Sequence, residues 1–317
     1  MVKSRIYFTT DIHGSEVCFL KFVASGKFYN ANAIILGGDI TGKMIVPLVE
    51  TSDGSYTTNF MGIDHVLKSK EETDKIEKRI RDTGYYPYRT TQKEMEELNA
   101  DPERVDKLFS NLMNVTLERW LGIVAEKLKG TGIECYIVPG NDDRHEIDPI
   151  LEKSEYAINP EGKVVEIDPH HEMISSGFAN VTPWNCPRDV SEDALRERLE
   201  AMTSQVKDMK NAIFCLHCPP YGTELDVAPK LDKDLRPVIQ RGGITMIHVG
   251  SQAVRETIER YQPLLGLHGH IHESKGAYRL GRTLCLNAGS EYSELILRGV
   301  LVDLHEKGFK DYLFTSG

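Results

Sequence analysis

The chain has 317 residues, 40% of them hydrophobic, enough for one large α/β domain carrying an insertion. A formal net charge of −10 argues against a basic nucleic-acid groove spread over the surface. No stretch reaches the roughly 18 apolar residues of a membrane span, and Met1-Val2-Lys3-Ser4-Arg5 runs into a strand pattern without a signal peptide's apolar region. The expectation is a soluble cytoplasmic protein that does not engage membrane.

In chain order, Ile6 to Thr10 is a β-rich run ending at Asp11. A helical stretch follows, with Val17, Leu20, Lys21 and Ala24 at one-face spacing. Ala33 to Leu36 is a second apolar run, ending in Gly37-Gly38-Asp39. Strand, helix and strand in this order are the unit of a parallel sheet.

Residues 44–100 change character. Ile45 to Phe60 reads as a hairpin around Ser52-Asp53-Gly54-Ser55. Lys68 to Arg81 reads as a charged, solvated helix, Gly84 to Tyr88 as a Tyr-rich loop, and Glu94 to Leu98 as the start of a short helix. With few apolar residues for a core of its own, the segment is expected to be an insertion within a single domain spanning 1–317.

A long helix follows, capped by Asp101 with Pro102 at its first position and closed by Gly130 and Gly132. Leu117, Trp120, Leu121, Val124 and Leu128 form its apolar face. Three more apolar runs then end at polar residues: Glu134 to Val138 before Pro139-Gly140-Asn141, Ala212 to Leu216 before His217, and Leu264 to Leu267 before His268-Gly269-His270. Between and after them lie strands at 164–167 and 173–174, an amphipathic helix from Ser191 to Met209, a strand-like run at 244–247, and two strands within 285–304. The six cysteines read as core residues, because Cys215-x-x-Cys218 has zinc-ligand spacing but no second pair.

Five apolar runs thus stop at Asp, Asn or His, and ligands of open α/β sheets sit beyond the carboxyl ends of strands. The set is Asp11, His13, Asp39, Asn141, His217, His270 and His272. Two carboxylates, one amide oxygen and four imidazoles suit Mn²⁺, Fe²⁺ or Zn²⁺. A carboxylate such as Asp39 can bridge two ions roughly 3.5–4 Å apart, which clamp a phosphoryl group and activate a bridging water for in-line attack.

Asp11-Ile12-His13, Gly38-Asp39, Gly140-Asn141-Asp142-Asp143, His217 and Gly269-His270-Ile271-His272 resemble, in order, the five signature blocks of the calcineurin-like metallophosphoesterase superfamily. The resemblance implies a two-sheet β-sandwich flanked by helices, with the 44–100 segment as a cap-like addition. It implies two divalent metal ions, manganese favoured, one held by Asp11, His13, Asp39 and His272 and the other by Asp39, Asn141, His217 and His270. Gly177-Phe178, Thr182-Pro183-Trp184, His217 to Thr223, His248 to Ser251, His268 to Ser274 and Asn287 to Ser290 are similar to the prokaryotic branch related to cyclic-nucleotide phosphodiesterases.

One departure steers the expected activity. Many phosphomonoesterases of the superfamily place His after the third-block Asn, where this chain has Asp142. An ionised carboxylate repels a dianionic monoester more than a monoanionic diester, so a phosphodiesterase acting on a nucleotide-like small molecule is expected. The alternatives are a phosphomonoesterase or nucleotidase on the same site, then a nuclease or a non-catalytic binding module. Asp142, Arg144 and His248 are the candidate catalytic neighbours: Asp142 beside the phosphate, Arg144 as a bidentate phosphate holder, and His248 at the end of a strand-like run. His268 is expected to support the ligands or the core, and His170-His171 to lie on the surface. Oligomeric state is not legible in the sequence.

Overall fold

The computed structural model describes residues 4–240, 242–306 and 308–317. In chain order its main elements are β1 (Ser4–Thr9), α1 (Glu16–Phe28), β2 (Ala33–Gly37), β3 (Ile45–Glu50), β4 (Tyr56–Phe60), β5 (Ile63–Leu67), α2 (Lys70–Asp82), β6 (Tyr86–Thr91), α3 (Gln92–Ala100), α4 (Pro102–Leu128), β7 (Glu134–Val138), β8 (Val164–Asp168) and β9 (His171–Ser176). They continue with α5 (Glu192–Thr203), β10 (Ile213–Leu216), α6 (Gln252–Tyr261), β11 (Leu265–His268), β12 (Gly276–Leu280), β13 (Thr283–Asn287), β14 (Arg298–His305) and β15 (Gly308–Ser316).

Two sheets face each other. The first has the order β15-β14-β1-β2-β7, and the second β12-β13-β11-β10-β9-β8. In the first, β1, β2 and β7 run parallel, and β14 and β15 add an antiparallel hairpin at the edge. In the second, β9, β10, β11 and β13 run parallel.

Side-chain alternation builds the layers. Ile6, Phe8, Ala33 and Ile35 point between the sheets and meet Met173, Ile213, Cys215, Leu265 and Leu286. Their neighbours Tyr7, Ile34 and Leu36 point outward and are covered by Phe19 and Phe22 of α1 and Leu117, Trp120 and Val124 of α4. On the far side, Phe214 and Leu216 are covered by Leu195 and Leu199 of α5 and Val254 and Ile258 of α6. Each parallel strand is therefore apolar on both faces, as strands sandwiched between helices and a second sheet must be. The α/β two-sheet sandwich flanked by helices is the architecture the sequence led us to expect.

Four local expectations are corrected. The buried face of α1 is Cys18, Phe19, Phe22 and Val23, whereas Leu20 is 42% exposed. The face shifts because Phe19 stacks on Trp120 of α4, with ring centroids 4.2 Å apart and planes 8° from parallel. Residues 86–91 are a strand, β6, running parallel to β3. The segment from β3 to α3 also has its own buried cluster, Val46, Leu48, Phe60, Leu67, Ile76 and Ile80, between a four-stranded sheet and α2. Finally, His171 is buried on β9 with Nδ1 2.8 Å from Asp168 Oδ1. Cys215 and Cys218 are buried free thiols, and burial pushes both of their pKa values up.

Candidate metal centre

The carboxyl ends of five parallel strands converge on one rim. Asp11 and His13 follow β1, Asp39 follows β2, Asn141 follows β7, His217 follows β10, and His270 and His272 follow β11. The first two loops are zipped together: Asp11 N–H donates to Gly38 O at 3.0 Å, His13 N–H to Asp39 O at 2.9 Å, and Gly14 N–H to Ile40 O at 2.8 Å. Gly269 N–H donates to His217 O at 2.9 Å, which joins the other two.

Four of the seven residues have left-handed backbone: Asp11 (φ 53°), His13 (φ 40°), Asp39 (φ 50°) and His270 (φ 66°). Such conformations cost of order 1–3 kcal/mol each and persist where surrounding bonds impose them. Gly38 is needed where it stands, because a Cβ there would lie 2.2 Å from His217 Nδ1.

The donor atoms form three overlapping groups. Asp11, His13 and His272 converge as one, Asp39, His217 and His270 as a second, and His13, Asp39 and Asp142 as a third that overlaps the first two. The Nε2 atoms of His13 and His272 are 3.0 Å apart, and His272 Nε2 is 3.4 Å from Asp11 Oδ1. His217 Nε2 lies 3.4 Å from Asp39 Oδ1 and 3.8 Å from Asp11 Oδ1. Asp39 connects the groups, with Oδ2 3.6 Å from His13 Nε2. Asn141 Oδ1 is 2.9 Å from His270 Nδ1. Its Nδ2 donates to Asp189 at 2.9 Å, which aims the oxygen at the cluster.

The residues fit a pair of divalent ions. His217 Nδ1 is 2.9 Å from Gly37 O, a donor's position, and its buried Nε2 has no hydrogen-bond partner. That is a metal ligand's tautomer, fixed by the bond at the other nitrogen. Burial pushes His13 down to about 3 and His270 down to about 4, so both are neutral donors. Burial opposes charge on His217 too, but the carboxylates of Asp39 and Asp11 outweigh it and raise that imidazole to about 10, so a bound ion would take the place of the proton on Nε2. Burial would raise Asp11 and Asp39, yet the neighbouring histidines, His217 foremost, hold both below the usual carboxylate range. The buried carboxylates thus draw positive charge to the centre of the cluster.

The neighbours divide. Asp142 reaches the rim: its N–H donates to Asp39 Oδ1 at 3.0 Å, and its Oδ2 lies 3.7 Å from His13 Nδ1. Arg144 is turned away to α4, where it bonds Asp106 at 2.7 Å and Ser110 at 3.0 Å and lies over Phe109. His248 pairs with Asp226 at 2.8 Å and packs near Tyr221, on a short strand at Met246–His248. Arg144 is thus held by partners on α4, and His248 by Asp226 in the segment that follows His217. His268 is buried, with Nδ1 2.8 Å from Leu216 O.

Three supporting residues escaped the sequence reading. Asp143 ties the Asp39 loop to the Asn141 loop, accepting from Ile40, Thr41 and Gly140. Tyr292 stands beside His13 and His272, with ring centroids 4.8 Å and 6.0 Å away. Lys43 Nζ lies 2.8 Å from Asp142 Oδ2. Only Asp143 carried a signal, its place in the third motif. A cavity of about 430 Å³ opens beside His272, lined by Lys275, Ser290, Glu291 and Arg298 among others.

No protein-family model matches the chain. An uncharacterized protein of Methanocaldococcus jannaschii is 33% identical over 157 residues, 49% of this chain and 63% of that protein. The chain thus spans less than two thirds of that relative's length. A protein of Photorhabdus laumondii named UDP-2,3-diacylglucosamine hydrolase is 24% identical over 195 residues, 62% of this chain and 72% of that protein. Among solved structures, the protein TT1561 of Thermus thermophilus superposes with a TM-score of 0.53 at 14% identity, covering 99% of this chain and 98% of that one. That superposition shows that the two-sheet sandwich is a fold this chain shares with a solved structure. Among the described residues no helix is long and apolar enough to cross a membrane.

Proposed function

We propose that the chain is a metal-dependent phosphoesterase, and that its substrate is a nucleotide-like phosphodiester. The observation that carries this reading is the buried, partnerless Nε2 of His217, aimed at the carboxylates of Asp11 and Asp39. Asp11, His13, Asp39 and His272 would hold one divalent ion, and Asp39, Asn141, His217 and His270 a second, with manganese favoured. Two ions bound there supply Lewis-acid charge for the phosphoryl oxygens and lower the pKa of water.

The protein's own residues prepare that site. Gly37 O fixes the His217 tautomer, and Asp189 fixes the Asn141 amide. Tyr292 walls the His13 side against water. The cavity beside His272 gives a leaving group room. A nucleotide-like leaving group agrees with the name of the Photorhabdus relative, which specifies a UDP-linked sugar. The insertion reaches the rim through Tyr86, whose hydroxyl accepts from Gly42 N–H at 2.8 Å, and it would shape substrate entry.

A second reading, phosphomonoesterase, is favoured by the Lys43 ammonium on Asp142, which offsets the carboxylate's repulsion of a dianion. Hydrolysis of bis(p-nitrophenyl) phosphate against p-nitrophenyl phosphate, by protein loaded with Mn²⁺, tests both. Faster diester turnover supports the proposal. Faster monoester turnover replaces it with the second reading, and no turnover of either sinks both.

A further inference from the structure

Lys43 belongs to no metal-binding motif, yet the fold delivers it to the mouth of the cluster. Its base is fixed. Every backbone N–H from Ile40 to Gly42 is held, the first two by Asp143 and the third by the Tyr86 hydroxyl. Its side chain is 47% exposed, and Nζ sits 2.8 Å from Asp142 Oδ2. Asp142 in turn touches the metal ligands, through its N–H to Asp39 and its carboxylate near His13. The ammonium is thus one side chain away from two residues of the cluster.

Stability does not explain this placement. An ion pair half open to water contributes about 0–1 kcal/mol. An ammonium has three donors, and the contact with Asp142 occupies one of them. The remaining donors stand beside a site whose buried groups include three carboxylates, Asp11, Asp39 and Asp143. Divalent ions bound there would spend much of their charge on these carboxylates, and a tethered cation at the mouth adds a donor for an incoming phosphate. Arg144, the cation the sequence suggested for this task, is engaged with Asp106.

We propose that Lys43 contacts a non-bridging phosphate oxygen of the substrate, with Asp142 setting the position of its ammonium. The assignment rests on the phosphoesterase reading above and names a substrate contact for that site.

The test uses Mn²⁺-loaded full chain, wild type, Lys43→Gln and Lys43→Arg, with inorganic phosphate as the probe. Titration calorimetry reads phosphate affinity, elemental analysis reads bound manganese, and bis(p-nitrophenyl) phosphate reads turnover. Loss of a charge-assisted hydrogen bond predicts phosphate affinity weaker by about ten- to a hundredfold in Lys43→Gln. Lys43→Arg restores a cation and should bind within a few-fold of wild type, with manganese content equal in all three. If wild type binds phosphate but hydrolyses nothing, the phosphoesterase reading fails while the affinities still decide the Lys43 contact. Unchanged affinity in Lys43→Gln, loss of its manganese, or a wild type that binds no phosphate overturns the assignment.

Discussion

Replacing Asp143 with alanine should damage the protein more than its place beside the metal ligands suggests. The buried carboxylate accepts four hydrogen bonds, from Ile40 N–H at 3.0 Å, Thr41 N–H at 2.9 Å, the Thr41 hydroxyl at 2.6 Å and Gly140 N–H at 2.7 Å. Burial, reinforced by the charge of Asp39, raises its pKa, while these donors work against that rise. Alanine leaves three backbone N–H groups buried without an acceptor, and each such orphan costs about 1–3 kcal/mol. The simple sum is about 3–9 kcal/mol, and partial entry of water brings the expectation to the lower half of that range. A loss of this size is a large fraction of the roughly 5–15 kcal/mol by which domains are stable. Asparagine keeps one acceptor oxygen and should cost less. Urea unfolding in EDTA measures the effect free of metal linkage. A loss below about 1 kcal/mol in Asp143→Ala would refute the reasoning, since other bonds would then be holding the two loops.

Two further predictions concern residues outside the seven-residue cluster. Glu161 is partly exposed, and desolvation of its carboxylate pushes its pKa up to about 7 from an ordinary value of 4.5. The folded state therefore favours the protonated acid: its contribution is fully present below pH 4.5 and is lost as pH rises through about 7. Glu161→Gln removes that dependence, so the variant should gain on wild type as pH rises between these limits. Parallel unfolding curves at about pH 5 and about pH 8 check this, and a gap that does not grow with pH contradicts it. Gly84 has φ +92°, and a Cβ there would lie 2.2 Å from His13 O. Gly84→Ala should cost about 2 kcal/mol or more and release the insertion from the metal loop, read as a lower thermal midpoint together with weaker manganese retention.

The sheet core was legible because its strands are continuous apolar runs, and the convergence of the seven strand-end residues was legible because those runs stop at Asp, Asn and His. Ile6 and Phe8 face one layer and Tyr7 another, so no polar residue interrupts the pattern. The insertion's core was not legible. Its members, Val46 to Leu67 from short strands and Ile76 and Ile80 from α2, are scattered singly among exposed residues and are assembled only by the four-stranded sheet packing on that helix. The face of α1 was misread because Phe19 is placed by Trp120, a contact between distant parts of the chain. The partners that hold Arg144 and His248, Asp106 and Asp226, are likewise out of local view. The Lys43–Asp142 pair spans the whole insertion, and Tyr292 reaches His13 from the far end of the chain.

The central claim is a two-ion centre built on the seven strand-end residues. Elemental analysis of the chain after manganese loading and desalting tests it most directly, with His217→Ala alongside. The account predicts about two ions per wild-type chain and about one in the variant. A wild type that retains no metal, or a variant that retains as much as wild type, would contradict it.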